Sequence, residues 1–280
     1  MFRIREIFKV LYNYIFFIYV FFLRLIGKVN FPVPPNSNMR RTSAKTLKRY
    51  IYSSLTTGLP MSVAAQMHGV NFEKNCNVLD FGCGCASQLK YFTENHPNAK
   101  YFGTDIDPSS IEWVANNYPN VSAFVNKPDS KLDFSDNTFD LIYTVSTFSH
   151  FSKADVNFWL SELSRVLKVG GIFIPTIEGE GAIDLVAKDC DISPEVIQKE
   201  LDNSGIFYKN YSWLTGLQER GPAIHESVDI SSYFSDEYGH TVMTSEYFSN
   251  QAKNYGLELI GASLKVICDR QDLICFRKIS

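Results

Sequence analysis

The stretch NVLDFGCGCASQL, residues 77–89, decides the fold. Five strand-like residues end at Phe81 and run straight into a turn punctuated by Gly82, Gly84 and Ala86, after which the spacing becomes helical. Small residues in such a turn let the backbone approach a ligand closely, and the helix start beyond it presents amide groups that no preceding carbonyl occupies. A GxG turn alone is a common feature. It gains weight from KYFGTDI, residues 100–106, a second strand ending in Asp105, 21 residues after Gly84. An acidic side chain at that distance is placed to bind ribose hydroxyls.

Outward from this pair, strand-like and helical runs alternate. NVLDF precedes ASQLKYFTENH; KYFGTDI precedes SSIEWVANNY; SAFVN follows; DLIYTV precedes VNFWLSELSRVL; and GIFIPTI comes after. That alternation predicts an α/β, Rossmann-like, mostly parallel sheet with crossover helices. ELIGASLKVI and DLICFRK, separated by CDRQ, predict a C-terminal antiparallel hairpin. Before the sheet, SAKTLKRYIYSSL and MSVAAQMHGV read as two helices broken at Gly58–Leu59–Pro60. The stretch 178–250 reads as partly helical and partly irregular.

Two cofactor classes use a glycine turn followed by an acidic strand end. A dinucleotide calls for GxGxxG, but the last position here is Ser87, and Asp80 stands two residues ahead of Gly82. A carboxylate there repels a pyrophosphate and favours a cofactor with a cationic amino-acid tail.

VLDFGCG, YFGTDID, FSDNTFDLIYTVSTFSHF and LSRVLKVGGIFIPTIEG, in this order and spacing, resemble the successive motifs of class I S-adenosylmethionine-dependent methyltransferases (methyltransferase type 11/25-like) over about residues 76–178. VLDFGCG, TFSHF, RVLKVGG and QDLICFRK are also similar to a group of such enzymes encoded beside glycosyltransferases of surface polysaccharides. The resemblance implies a seven-stranded sheet and S-adenosylmethionine as cofactor. It implies that Gly82 and Gly84 face the cofactor backbone-first, with Asp80 ordering the turn or reaching its amino group. Asp105 is then expected at the ribose hydroxyls, Ile106 on the adenine, Asp129 at the adenine amino group and Ser146 near the methionine part. Ala86 departs from the usual third glycine, and Val169 from the usual proline before Gly170–Gly171.

His150, after the fourth strand, is the candidate general base, since a histidine titrates in the useful range; the alternative is a packing histidine beneath the site. His225 and His240 lie in the insertion 178–250, where this fold commonly covers the acceptor. Aromatic residues there (Phe207, Tyr208, Tyr211, Trp213, Tyr233, Phe234, Tyr238) suit sugar rings or a plain core. Asp107 reads as a helix cap before Pro108. No metal ligand set is expected: the cysteines at 76, 83, 85, 190, 268 and 275 match neither a zinc knuckle nor a secreted disulfide framework, and read as reduced thiols.

The chain has 280 residues, 45% of them apolar, ample for a packed core. Residues 1–50 carry ten Lys or Arg against Glu6 alone, net +9, while the rest carry 17 against 29, net −12. A basic arm on an acidic body points to an anionic surface, and the acidic body argues against nucleic acid as substrate. VLYNYIFFIYVFFLRLI, residues 10–26, is apolar around its circumference; at about 1.5 Å per residue it spans roughly 25 Å, short for a core about 30 Å thick. The expected organisation is a hydrophobic membrane-associating helix over 1–30, a linker over 31–41, and a methyltransferase domain over 42–280 with a helical extension (42–70) and a substrate-side insertion (178–250). A signal peptide and a buried core helix are the alternatives for the apolar run. The expected function is O-methylation of a sugar hydroxyl of a glycan or of a nucleotide- or lipid-linked sugar at the cytoplasmic face of a membrane. A lipophilic acceptor such as a quinone or polyketide, a soluble cytoplasmic enzyme and a non-catalytic S-adenosylmethionine-binding module are the rival readings.

Overall fold

The computed structural model of the chain describes residues 18–23, 25–27, 30–41, 46–210 and 238–280. Residues 10–17 and 24 of the apolar run, and 211–237 of the insertion with His225, Tyr211, Trp213, Tyr233 and Phe234, lie outside the described residues.

Strand β1 (Asn77–Phe81) is buried on both faces after its first residue, which is why NVLDF is a nearly unbroken apolar run. It pairs in parallel with β2 (Lys100–Asp105) and β4 (Phe139–Thr144), so Leu79 lies between Phe102 and Ile142. β3 (Val121–Val125) extends the sheet beyond β2, and β5 (Leu167–Glu178) beyond β4. The C-terminal hairpin of β8 (Leu257–Ile267) and β9 (Gln271–Lys278) inserts β9 antiparallel against β5. The seven-stranded order is β3-β2-β1-β4-β5-β9-β8. It reverses between β1 and β4, and in open α/β sheets the crevice at the carboxyl ends of the strands at such a switch point is where ligands bind.

Crossover helices α3 (Ser87–Asn95), α4 (Pro108–Asn117) and α5 (Lys153–Val166) cover the faces. Alternate side chains of each strand feed two cores. Val78, Leu141 and Ile172 pack with Leu89, Phe92 and Met61 on one side, and Leu79, Ile142 and Phe173 with Trp159, Leu163 and Phe248 on the other. α5 begins with a capping box, Ser152 accepting from the Asp155 amide while Asp155 accepts from that of Ser152. The Asp107 side chain caps α4, accepting from the Ser109 amide, as its place before Pro108 suggests.

One sequence expectation is corrected. Gly58–Leu59–Pro60 breaks nothing: α2 runs unbroken over Leu47–Met67. Gly58 lies against Tyr91, where a Cβ would sit 2.6 Å from that residue's Cβ and Cγ, and Met61 and Ala65 dock the far half on the same core. Tertiary packing thus outweighs the cost of an interior proline. The helical part of the expected insertion is present. Its described residues form α6 (Ile183–Cys190), α7 (Pro194–Ser204) and a two-stranded antiparallel sheet of β6 (Ile206–Asn210) and β7 (Gly239–Met243), closed over a small core of Val186, Ile197, Leu201, Phe207 and Val242. α8 (Ser245–Lys253) leads from β7 to the hairpin.

The stretch 31–41 is packed against the body. It contains α1 (Asn36–Arg41), whose Asn38 amide donates to the Ser109 carbonyl at the start of α4 (3.1 Å). Among the described residues no helix is long and apolar enough to cross a membrane, and no disulfide joins the cysteines.

Candidate functional site

The turn after β1 is shaped by backbone that side chains resist. Gly82 (φ +80°), Gly84 (φ +50°) and Ala86 (φ +63°) all adopt left-handed conformations. The Gly82 and Cys83 amides donate to the Thr104 carbonyl (2.8 and 2.9 Å), stapling the turn to β2. The Gly84 amide donates to Asp105 Oδ2 (2.8 Å), while Asp105 Oδ1 accepts from the Asp107 amide (2.9 Å). A Cβ on Gly82 would strike the Thr147 hydroxyl, which donates to the Phe81 carbonyl (3.3 Å). The ends of β1, β2 and β4 therefore converge on a cradle with no room for a side chain at Gly82. From above, the Tyr50 hydroxyl of α2 donates to the Cys85 carbonyl (3.1 Å). Ala86 caps α3 without a side-chain hydrogen bond, so no side chain competes for the amides of its first turn.

Asp80 lies beneath this cradle, buried, with Oδ2 lacking any hydrogen-bond partner and the Tyr143 hydroxyl facing it. Burial pushes its carboxyl well above the usual carboxylate range, and the negative charge of Asp105 adds to the shift. A buried orphan acceptor in an electronegative corner suits a cation.

The structure brings Asp80, Gly82, Gly84 and Asp105 together, with half-buried Ile106 following directly. Ser146 sits at the end of β4 at φ +56°, a strained conformation for a residue other than glycine. It is pinned there: its amide donates to Thr176 Oγ1 (2.9 Å) and Gln271 Nε2 donates to its hydroxyl (2.8 Å). Asp129 is exposed in the turn after β3, bonded to Ser130. Asn126 stands closer to Asp105, its amide donating to the Asp105 carbonyl (3.0 Å) while its own buried Oδ1 has no partner.

On the insertion side, His150 closes a single 3₁₀ turn (Phe148–His150) after β4. Its Nδ1 lies 3.0 Å from the Gly239 carbonyl, an atom that can only accept, so Nδ1 carries the proton and Nε2 is the basic nitrogen. The ring stacks on Tyr238 at 4.7 Å and lies 6.4 Å from that of His240 on β7. Desolvation pushes both histidines down to about 4, helped at each by the positive charge of Arg270. Arg270 pairs loosely with buried Glu178 (3.6 Å). Burial drives the Tyr238 phenol up, and so does the charge of Asp105, which links this cluster to the cradle. Among the described residues no three His, Cys, Asp or Glu side chains converge as a metal site requires.

Residues 78–171, from the middle of β1 to the start of β5, match the family model of the methyltransferase domain. This part of the chain is a methyltransferase domain. The cofactor of such domains is S-adenosylmethionine, and the orphaned Asp80 oxygen together with the side-chain-free cradle at Gly82 fits it. The chain is 31% identical over 111 residues to a sterol 24-C-methyltransferase of Neurospora crassa, a match covering 37% of this chain and 28% of that protein. It is 28% identical over 110 residues to a sterol 4-C-methyltransferase of Caenorhabditis elegans, covering 38% and 32%. The chain thus spans less than a third of the length of these curated relatives. Over the whole fold it is similar to a Burkholderia thailandensis 1,6-didemethyltoxoflavin-N1-methyltransferase solved with its acceptor and S-adenosylhomocysteine (12% identity, 90% of this chain and 94% of that one, TM-score 0.53). A Pyrococcus horikoshii protein is similar at 19% identity, over 88% of this chain and 96% of the other, with a TM-score of 0.54.

Sequence reading missed Thr176, Gln271, Asn126 and the grouping of Tyr238 and His240 with His150. Only Asn126 had a local signal, a polar residue directly after the SAFV strand beside Asp105.

Proposed function

We propose that this methyltransferase O-methylates a hydroxyl of a polar acceptor, a sugar hydroxyl of a glycan or of a nucleotide- or lipid-linked sugar, at the cytoplasmic face of a membrane. The supporting observation is the cluster of His150, Tyr238 and His240 beside the cofactor cradle, backed by Arg270 and Glu178. Such a polar wall suits hydroxyls better than a hydrocarbon skeleton.

When bound, S-adenosylmethionine supplies an electrophilic methyl group on a sulfonium. Gly82 and Gly84 offer it backbone, Asp105 takes the ribose hydroxyls, Ile106 packs on adenine with Asp129 or Asn126 at its edge, and Asp80 answers the ammonium of the methionine tail. Ser146, held by Thr176 and Gln271, borders the methionine part. His150 is neutral at pH 7, so its Nε2 can accept a hydrogen bond from an acceptor hydroxyl, orient it and take its proton. Tyr238 offers a ring face to a sugar.

A lipophilic acceptor is the second reading, favoured by the sterol-methylating relatives, although those matches span only 110 and 111 residues. The test is incubation of the full chain with methyl-labelled S-adenosylmethionine and, separately, lipid-linked saccharides, nucleotide sugars, quinones and sterols. Label in a saccharide supports the first reading. Label confined to quinones or sterols overturns it.

A further inference from the structure

α2 has two contrasting faces. The inner one holds the cofactor cradle: Tyr50 donates to the Cys85 carbonyl, Gln88 of α3 donates to Ser53, and Gly58 lies against Tyr91. The outer one bears Tyr52, Leu55, Leu59, Val63 and Met67, each 45–78% exposed. At 3.6 residues per turn these five fall within an arc of about 120°, a mainly apolar stripe along the helix that only Thr56 and Gln66 interrupt. An amphipathic helix at a protein surface normally turns polar residues outward; here large apolar side chains make up most of the solvent face.

The charge pattern says what this face meets. LKRYIYSSLTTGLPMSVAAQM contains no Asp or Glu. Exposed Lys48 and Arg49 lie at the head of the stripe and, with Thr46 and Tyr52, line an open depression there. The same end of α2 receives the N-terminal apolar segment: Val20 and Leu23 pack with Leu47 and Tyr50, leaving Ile18, Phe21, Phe22 and Leu25 exposed. A mainly apolar stripe headed by two cations, free of acids and with an exposed apolar segment docked at its cationic end, matches an interfacial helix on an anionic bilayer. We infer that the outer face of α2 docks on an anionic lipid surface and thereby presses a membrane contact onto the back of the cofactor cradle. This inference rests on the membrane part of the reading above and is independent of the acceptor.

Flotation of the full chain with vesicles tests it, using phosphatidylcholine alone and phosphatidylcholine with phosphatidylglycerol. The parent should bind the anionic vesicles at least tenfold more tightly than the neutral ones. L55E/L59E should weaken that binding at least tenfold while far-ultraviolet dichroism and S-adenosylmethionine affinity stay as in the parent. K48E/R49E should abolish the preference for anionic vesicles. L55E/L59E and K48E/R49E both binding as the parent does would assign membrane contact to the N-terminal segment alone and overturn the inference. So would a parent that floats with neither vesicle, or one that forms a dimer in light scattering that L55E/L59E dissociates. Vesicle binding with no methyl transfer to any acceptor would leave the docking face standing and overturn the enzymatic reading.

Discussion

Gly82→Ala is the sharpest test of the cradle. The backbone there is at φ +80°, which costs an alanine about 1–2 kcal/mol relative to glycine. The new Cβ would also strike Thr147 Oγ1, and moving that hydroxyl forfeits its bond to the Phe81 carbonyl, worth about 0.5–1.5 kcal/mol. Together these give a loss of about 1.5–3.5 kcal/mol, read as a lower urea midpoint at unchanged slope. Thr147→Ala removes the obstructing atoms but not the backbone strain. The double variant should therefore be more stable than the sum of the two single losses by about 1 kcal/mol, a coupling expected only of touching residues. Affinity for S-adenosylmethionine should fall in G82A and recover in part in the double variant. A G82A protein within 0.5 kcal/mol of the parent, or strictly additive losses, would refute the proposed geometry.

Two titration predictions follow from burial. Asp80 has its folded pKa raised, so its favourable contribution is complete below the unfolded value near 3.9 and is lost as pH rises through the folded one. Cofactor-free Asp80→Asn should match the parent at acid pH and exceed it in stability at pH 8, while binding S-adenosylmethionine more weakly; lower stability than the parent at pH 8 would contradict the assignment. His150 and His240 are pushed down to about 4, so their contribution is complete above the unfolded value near 6.5 and is lost as pH falls from there towards 4. H150Q/H240Q should melt with a shallower pH dependence across that window than the parent does, and equal slopes would show that the two rings are already charged or solvated.

The sheet was legible because its signals are local. Strands buried on both faces, such as NVLDF, announce themselves as apolar runs, and the turn at Gly82 and Gly84 with Asp105 on the next strand follows from spacing. What depends on distant packing was not legible. Gly58 and Pro60 read as a break because nothing nearby reveals the Tyr91 ring that closes over Gly58. Thr176 and Gln271 reach Ser146 from 30 and 125 residues away. His240 and Tyr238 meet His150 only because β7 crosses beside the 3₁₀ turn after β4. The outer face of α2 is a further case: its sequence reads as helical, and only the fold shows which of its apolar residues face outward.

Calorimetric titration of the full chain with S-adenosylmethionine, beside Asp105→Ala, tests the central claim most directly. Asp105 holds the Gly84 amide and is assigned the ribose hydroxyls, so losing its carboxylate removes charge-assisted bonds worth about 1.5–3 kcal/mol each. The parent should bind with measurable heat and D105A at least tenfold more weakly. No heat from the parent, or equal affinity in D105A, would contradict the cofactor site described for this chain.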